Sequence, residues 1–353
     1  MENENPWLGL KTYKEGQILY GRSEEIRLLS QNIITNVQTI IYGKSGIGKS
    51  SILNAGVFPI ARHANLFPVD IRLVHNDIPY IAQIKKRVIE CLDNLRKEHL
   101  DDLGNKQFKK TKGSIEELVP VIRPGEESLW EFFHRHIFRD EKNERIFPLI
   151  VIDQFEEIFT LEKDRNKISR FFDELADLLN GIVPDYILQS QPSDYNNEKV
   201  KETDGSDTYC IEDLLQGIDL EEPITTKYLP HSDFHLVLSL REDFLSYLER
   251  NITHIPVLKQ NRYCLQPINE EQAATIITDP IPGLIDKKVA KQIIIKVTGD
   301  SSFELDGKPE IQVDSAMLSL FLSELYKKKD TSTNYISSEL VDKFGGNIIQ
   351  SFY

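Results

Sequence analysis

Residues 43 to 50 read GKSGIGKS and fit the spacing G-x-x-x-x-G-K-[ST], between a β-branched run and a helical one. Glycine at 43, 46 and 48 lets the backbone turn tightly enough for its N–H groups to converge on a β-phosphate. The start of the following helix adds partial positive charge. Lys49 is placed to reach the β- and γ-phosphates, and the Ser50 hydroxyl to ligate magnesium. Gly43, Lys44, Ser45, Gly46, Ile47, Gly48, Lys49, Ser50 and Ser51 are therefore the candidate nucleotide-binding residues.

Such a site needs a second strand carrying a carboxylate for the metal. PLIVIDQFEEIF, residues 148 to 159, supplies one: Leu149 to Ile152 are continuously apolar, and Asp153 is the first polar residue after them. Ligands of open α/β sheets bind at that carboxyl end, which makes Asp153 the candidate metal partner of Ser50. Glu156 and Glu157 follow about one turn later, and either could orient a water beside the γ-phosphate. Gln154 stands where many hydrolytic P-loop enzymes carry a glutamate, so a water-activating role moves downstream or is vacant. A third strand, FHLVLSL, ends in Arg241 followed by Glu242 and Asp243. Arg241 could reach the γ-phosphate; the bland alternative is a surface pair with one of its acidic neighbours.

Other reactive residues form no such set. His134 and His136 are two apart on an expected helix and cannot share a face. His231 and His235 straddle a loop and a strand start. Cys91, Cys210 and Cys264 are far apart and form no C-x-x-C pair, so a reducing cytoplasm fits better than a disulfide framework. Trp7 and Trp130 read as core or pocket-lining aromatics.

The elements that must position these groups follow from periodicity. Ile26, Leu29 and Ile33 recur at helical spacing, with Ser23 as the expected cap and Glu24 and Glu25 in the first turn. VQTIIYG reads as a strand, and a helix starts near Lys49. Residues 67 to 75 read as a strand, and 79 to 99 and ESLWEFFHRHIF as helices. PLIVID reads as a buried strand, NKISRFFDELADLLNGI as a helix ending near Gly181, and FHLVLSL as a strand. Residues 100 to 125 and 186 to 233 are polar and poor in core formers, as connectors or insertions are. After Pro267 strands are expected to stop, and four amphipathic segments read as helices. The expected fold is therefore an α/β domain with a mostly parallel sheet over residues 1–266, then a small all-helical domain over 267–353.

The whole chain agrees. Its 353 residues, 40% hydrophobic and 28% charged, suffice for one large or two small domains. A formal net charge of -14 argues against broad adsorption to nucleic acid or anionic membrane. No uninterrupted apolar run approaches the ~20 residues that span a bilayer, and MENENPWLGL is unlike a signal peptide.

Together these residues resemble the STAND class of P-loop ATPases, and within it the bacterial "novel STAND" family. The resemblance begins at NPWLGLKTY, similar to that family's N-P-Y-x-G-L-x-x-F opening. It continues through LYGRSEEI, GKSGIGKSSILNAGVFP, LIVIDQFEEIFTL, LVLSLREDFL, LQPINEEQAATIITDPI, AMLSLFLSELYKK and the final GGN. It implies an additional-strand, AAA+-like P-loop fold, with the Arg241 strand between the P-loop strand and the Asp153 strand and Arg241 beside the phosphates. It implies that Gly21 and Arg22 help form the nucleotide pocket, although Ser23 stands where a glutamate is usual. It also implies that Pro280 approaches the adenine from a helical lid. By the same likeness the ligands are ATP or ADP with Mg2+. The activity is that of a regulatory, ATP-hydrolysing switch that assembles into homo-oligomers and signals, in many bacterial cases against viruses. The chain would be the ATPase core alone, with no effector before it and a winged-helix segment and sensor after Tyr353. Two other classes stay open: a nucleotide-holding scaffold with negligible turnover, and a motor-type remodelling ATPase.

Overall fold

The structure is a computed structural model. It describes residues 5–102, 127–136, 138–140, 144–181, 234–253, 255–299, 302–305, 308–329 and 335–350. The insertion expected at 186–233 lies wholly outside these residues, as does nearly all of the connector at 100–125; so do Cys210 and His231.

Five strands form the central sheet: β1 (Gln38–Gly43), β2 (Leu66–Ile71), β3 (Phe147–Ile152), β4 (His235–Arg241) and β5 (Arg262–Cys264). Their order is β2-β3-β4-β1-β5, and each neighbouring pair is parallel. The strand ending in Arg241 thus lies between the P-loop strand and the strand ending before Asp153, which is the additional-strand arrangement. The continuous apolar runs exist because a parallel sheet is covered on both faces. Alternation within each strand then sorts the side chains. Ile150 and Ile152 of β3 face a core with Leu236 and Leu238 of β4, together with Ile84, Val88, Phe132, Phe171 and Phe172. Leu149 and Val151 face the opposite core, with Val237, Leu29, Ile33, Leu53 and Val57. β5, three half-buried residues at the sheet edge, was not expected from the sequence, which gives so short and mixed a run no period.

Four helices pack on these faces: α1 (Ser23–Thr35), α4 (Tyr80–Asp102), α5 (Leu129–Arg135) and α7 (Arg165–Asn180). The helical run after the P-loop begins as α2 (Lys49–Ser51), passes through a π-helical turn (Ile52–Val57) and ends as α3 (Phe58–His63). A short helix, α6 (Glu157–Thr160), follows the acidic segment, and α8 (Leu245–Asn251) follows β4. The cap expected from Ser23 is not made. Arg22 occupies the N-cap position with no side-chain cap, and Ser23 is already helical. Gly21, at φ +74°, turns the chain one residue earlier than that expectation required.

After Pro267 the chain forms α9 (Glu270–Thr278), α10 (Lys287–Thr298), α11 (Ser315–Lys327) and α12 (Ser338–Gln350). Side-chain caps set three of their starts. Asn269 and Gln272 form a reciprocal capping box, Asp286 accepts from Val289 N at 2.8 Å, and Asp314 accepts from the N–H groups of Ala316 and Met317. Ile277, Ile293, Phe321, Leu325 and Val341 share one core there. The expectation that strands stop after Pro267 is corrected by an antiparallel hairpin, β6 (Ser302–Leu305) and β7 (Lys308–Ile311), between α10 and α11. None of the described helices is long and apolar enough to cross a membrane.

One buried carboxylate fastens the end of the acidic segment to α4, α7 and the loop after β2. The Glu162 side chain, 2% exposed, accepts from Tyr80 OH and Asp164 N at 3.0 Å, beside His75 Nδ1 at 3.0 Å and Lys167 Nζ at 3.2 Å. The Asp164 N–H and these side-chain donors pull its pKa from 4.5 down to about 2. A depressed carboxylate adds stability above its unfolded pKa and loses it as pH falls through the folded one. Glu162→Gln should therefore cost about 1–3 kcal/mol in urea unfolding near neutrality. The deficit should shrink as the pH falls from 4.5 toward 2; a deficit that stays constant across that window would refute the ionic role.

Candidate nucleotide site

The P-loop leaves the carboxyl end of β1, turning through Gly46 and Gly48 at φ +75° and +100°. Such angles strain any side chain, so glycine is required at the point where the backbone curls into α2. Lys49 folds back over the loop and donates from Nζ to the carbonyls of Gly43 and Lys44, both at 3.0 Å. Burial lowers the pKa of its ammonium, while Glu156 and Asp153 favour the charged form.

Opposite it, the five residues after β3 take separate directions. Asp153 Oδ2 accepts from Ser50 Oγ at 2.5 Å, and Oδ1 from Ser239 Oγ at 2.7 Å. A hydroxyl and a carboxylate oxygen in contact are hard donors of the kind that bind magnesium jointly with phosphates, so this pair fits the ion. Gln154 adopts a left-handed backbone, φ +54°, and reverses the chain. Phe155 then turns inward, 1% exposed, with its N–H on the Ser239 carbonyl at 2.8 Å. Glu156 faces the cleft, and its Oε2 accepts from Arg241 N at 3.2 Å. Glu157 faces away, in a two-pronged ion pair with Arg72 just beyond β2.

Arg241 lines the same cleft, and its guanidinium pairs with Asp243. The pair with an acidic neighbour is thus present, in a residue that also lines the cleft. Arg22 is 4% exposed and donates to Glu25 at 2.8 Å, to the Gln266 carbonyl at 2.9 Å and to the Ile47 carbonyl at 3.2 Å. It braces the P-loop against the chain leading to α9. Gly21 does similar work by close approach: a Cβ there would lie 2.7 Å from the Gln272 carbonyl and 2.8 Å from Ile276 Cγ1.

The cleft measures about 450 Å3. Ser45 through Ser51, Asp153, Gln154, Glu156, Arg22, Arg241 and Pro280 all line it. Gly21, Gly43 and Glu157 do not, and Lys44 lines a smaller neighbouring cavity of about 180 Å3. Sequence reasoning missed three contributors. One is the strap from Gly9 to Tyr20, which follows the aromatic Trp7 and is held by Trp7 Nε1 on the Ile276 carbonyl at 2.9 Å and by Tyr13 N on Ser51 Oγ at 3.2 Å. Another is the first turn of α11, where Ser315 Oγ donates to the Ile47 carbonyl at 3.0 Å. The third is Ser239, two residues before Arg241; the period of two in a strand was the signal that could have found it.

The histidines stand elsewhere. His134 is exposed and stacks on Trp130 at 4.0 Å, His136 is buried, and His235 Nδ1 lies 2.9 Å from the carbonyls of Ile33 and Asn36. The described cysteines, Cys91 and Cys264, are free.

Among solved structures, the chain is similar to the Walker-type ATPase of Pyrococcus abyssi, at 12% identity, 97% coverage of this chain, 77% of that one and a TM-score of 0.48. It is also similar to the ORC2 protein of Aeropyrum pernix in ADPNP–ADP complexes, at 12% identity, 98% and 72% coverage and a TM-score of 0.45. The ORC1 protein of Aeropyrum pernix in complex with DNA matches at 12% identity, 94% and 66% coverage and a TM-score of 0.44. The chain thus spans 66% of the length of that ORC1 protein. No curated protein matches the chain. The sequence model of the family described as Novel STAND NTPase 1 matches residues 6–200, more than half of the chain. With its P-loop, its acidic strand and its intervening β4, the chain belongs to the Novel STAND NTPase 1 family and is a nucleotide-binding P-loop NTPase.

Proposed function

We infer that this NTPase binds ATP with Mg2+, hydrolyses it, and uses the difference between the two nucleotide states as a regulatory switch. The observation that carries the reading is the convergence of Lys49, Ser50, Asp153, Glu156 and Arg241 on one cleft at the carboxyl end of the sheet. In this reading the P-loop amides and Lys49 hold the β- and γ-phosphates, and Ser50 and Asp153 hold the metal. The ion, when bound, supplies charge neutralisation between the phosphates. Glu156 orients the attacking water and accepts its proton. Arg241 exchanges Asp243 for the γ-phosphate, so its side chain reports whether that phosphate is present.

The switch follows from how the cleft is walled. Strap, P-loop, α9 and α11 meet around it through Trp7–Ile276, Tyr13–Ser51 and Ser315–Ile47. Residues 267–353 then act as a lid whose seating depends on what the cleft holds. Family likeness extends this to nucleotide-dependent homo-oligomers in the parent protein, with sensing by a further region.

The test pairs phosphate release with particle size. The parent protein should release phosphate from Mg-ATP and change assembly state between ATP and ADP. Asp153→Asn should abolish release while nucleotide binding in EDTA persists. Absent release in the wild type, with binding intact, would favour a nucleotide-holding scaffold instead.

A further inference from the structure

The strand that carries Arg241 holds more than the arginine. Ser239 and Arg241 are two apart on β4, so both lie on the same side of the strand. The register of β3 against β4 pairs Ile152 with Leu238, which brings the residue after β3 level with Ser239. Ser239 is 0% exposed, and its Oγ donates to Asp153 Oδ1 at 2.7 Å. The same carboxylate oxygen takes the Gln154 N–H at 3.0 Å, and the other takes the Ser50 hydroxyl. The Ser239 carbonyl meanwhile accepts the Phe155 N–H at 2.8 Å. Ser239 therefore holds the rotation of the Asp153 carboxylate together with the Gln154 N–H, and through its carbonyl it holds the course of the chain after it.

We propose that Ser239 is a positioning residue for magnesium: by occupying Asp153 Oδ1 it commits Oδ2 to the cleft and so sets the Mg2+ affinity of the nucleotide complex. The inference rests on the magnesium-dependent reading above. A carboxylate with one oxygen tethered presents the other in a single orientation. Without the hydroxyl only the adjacent Gln154 N–H holds that oxygen, and the carboxylate gains freedom to rotate and divide its charge between two directions. Removing an outer hydrogen bond of this kind weakens metal binding about 10–100-fold in other sites. Ser239→Ala deletes only the hydroxyl and leaves the carbonyl bond to Phe155 in place, so the fold of the segment is preserved.

The experiment titrates Mg2+ into the full chain with a fluorescent ATP analogue, starting from EDTA. In Ser239→Ala the Mg2+ concentration for half-maximal effect should rise about tenfold or more, with affinity in EDTA within about twofold of wild type. Ser239→Thr, which keeps the hydroxyl, should titrate like wild type, and Ser239→Cys, a weaker donor, should fall between. Should the alanine variant fail to fold, the cysteine variant carries the same comparison. A wild-type Mg2+ profile in Ser239→Ala overturns the proposal. So do equal losses with and without Mg2+, the mark of a merely structural serine. If wild-type affinity is itself indifferent to Mg2+, the magnesium reading fails, and this inference falls with it; failure of the variant alone leaves that reading standing.

Discussion

Lys49→Ala should lower ATP and ADP affinity about 100-fold or more, because it removes at least two charge-assisted contacts of about 1.5–3 kcal/mol each. The size of the effect comes from where the ammonium sits. Lys49 is partly desolvated and curled over the P-loop, with the Gly43 and Lys44 carbonyls at 3.0 Å and Glu156 and Asp153 favouring its charge. Incoming phosphates replace carbonyl partners by stronger anionic ones, and Lys49 is the P-loop cation that lines the cleft. Arg22 is engaged on three partners and cannot substitute. Lys49→Arg should not rescue, since a planar guanidinium does not fit a point-charge position under a tight loop. Calorimetric titration of the full chain with ADP checks both variants; unchanged affinity in the alanine form would overturn the P-loop assignment.

Lys49 was legible because everything that defines it is local: glycine spacing, the strand before and the helix after. The same holds for β3 and β4, whose apolar runs report a sheet buried on both faces. It holds for Asp153 as well, the first polar residue beyond such a run. Contacts between segments far apart in the chain were not legible. Trp7 reads as a core or pocket-lining aromatic and is one, yet nothing in the sequence points to Ile276, 269 positions away, as the acceptor of its indole N–H. Arg72 lies inside the run 67 to 75 that reads as a strand, and only β2–β3 pairing brings it to Glu157. The β6–β7 hairpin has too few residues to establish a period. Ser23 failed as a cap because Gly21 is pinned against Gln272 and Ile276, a constraint from the other end of the chain. Gln154 is instructive in a different way. Its amide reads as a substitute for a catalytic glutamate, whereas its left-handed backbone is the notable feature. Beyond it Glu156 and Glu157 enter the helical turn of α6, and the roughly 100° between consecutive residues there points the two glutamates apart.

That turn leads to a second large effect: Glu156→Gln and Glu157→Gln should differ in ATP turnover by about two orders of magnitude. The two glutamates are adjacent and chemically identical, so only placement separates them. Glu156 lines the cleft with Asp153 and Arg241, and the Arg241 N–H at 3.2 Å anchors its carboxylate. A positioned general base contributes about 10²–10⁴ to rate, so Glu156→Gln should cut turnover about 100-fold or more while ATP affinity stays within a few-fold. Glu157 is turned toward Arg72, outside the cleft lining, and both its oxygens are engaged by the guanidinium. Its loss breaks a pair whose arginine is 61% exposed, worth at most about 1 kcal/mol of stability. Turnover in Glu157→Gln should accordingly remain near wild type, and Arg72→Ala should behave alike. Single-turnover phosphate release beside binding isotherms separates the two outcomes. Equal loss in both variants would mean that Glu157 leaves Arg72 during the cycle and shares the chemistry; retained turnover in both would move the base away from this segment altogether. An asymmetric result would instead trace catalysis to the one backbone turn that distinguishes the two residues.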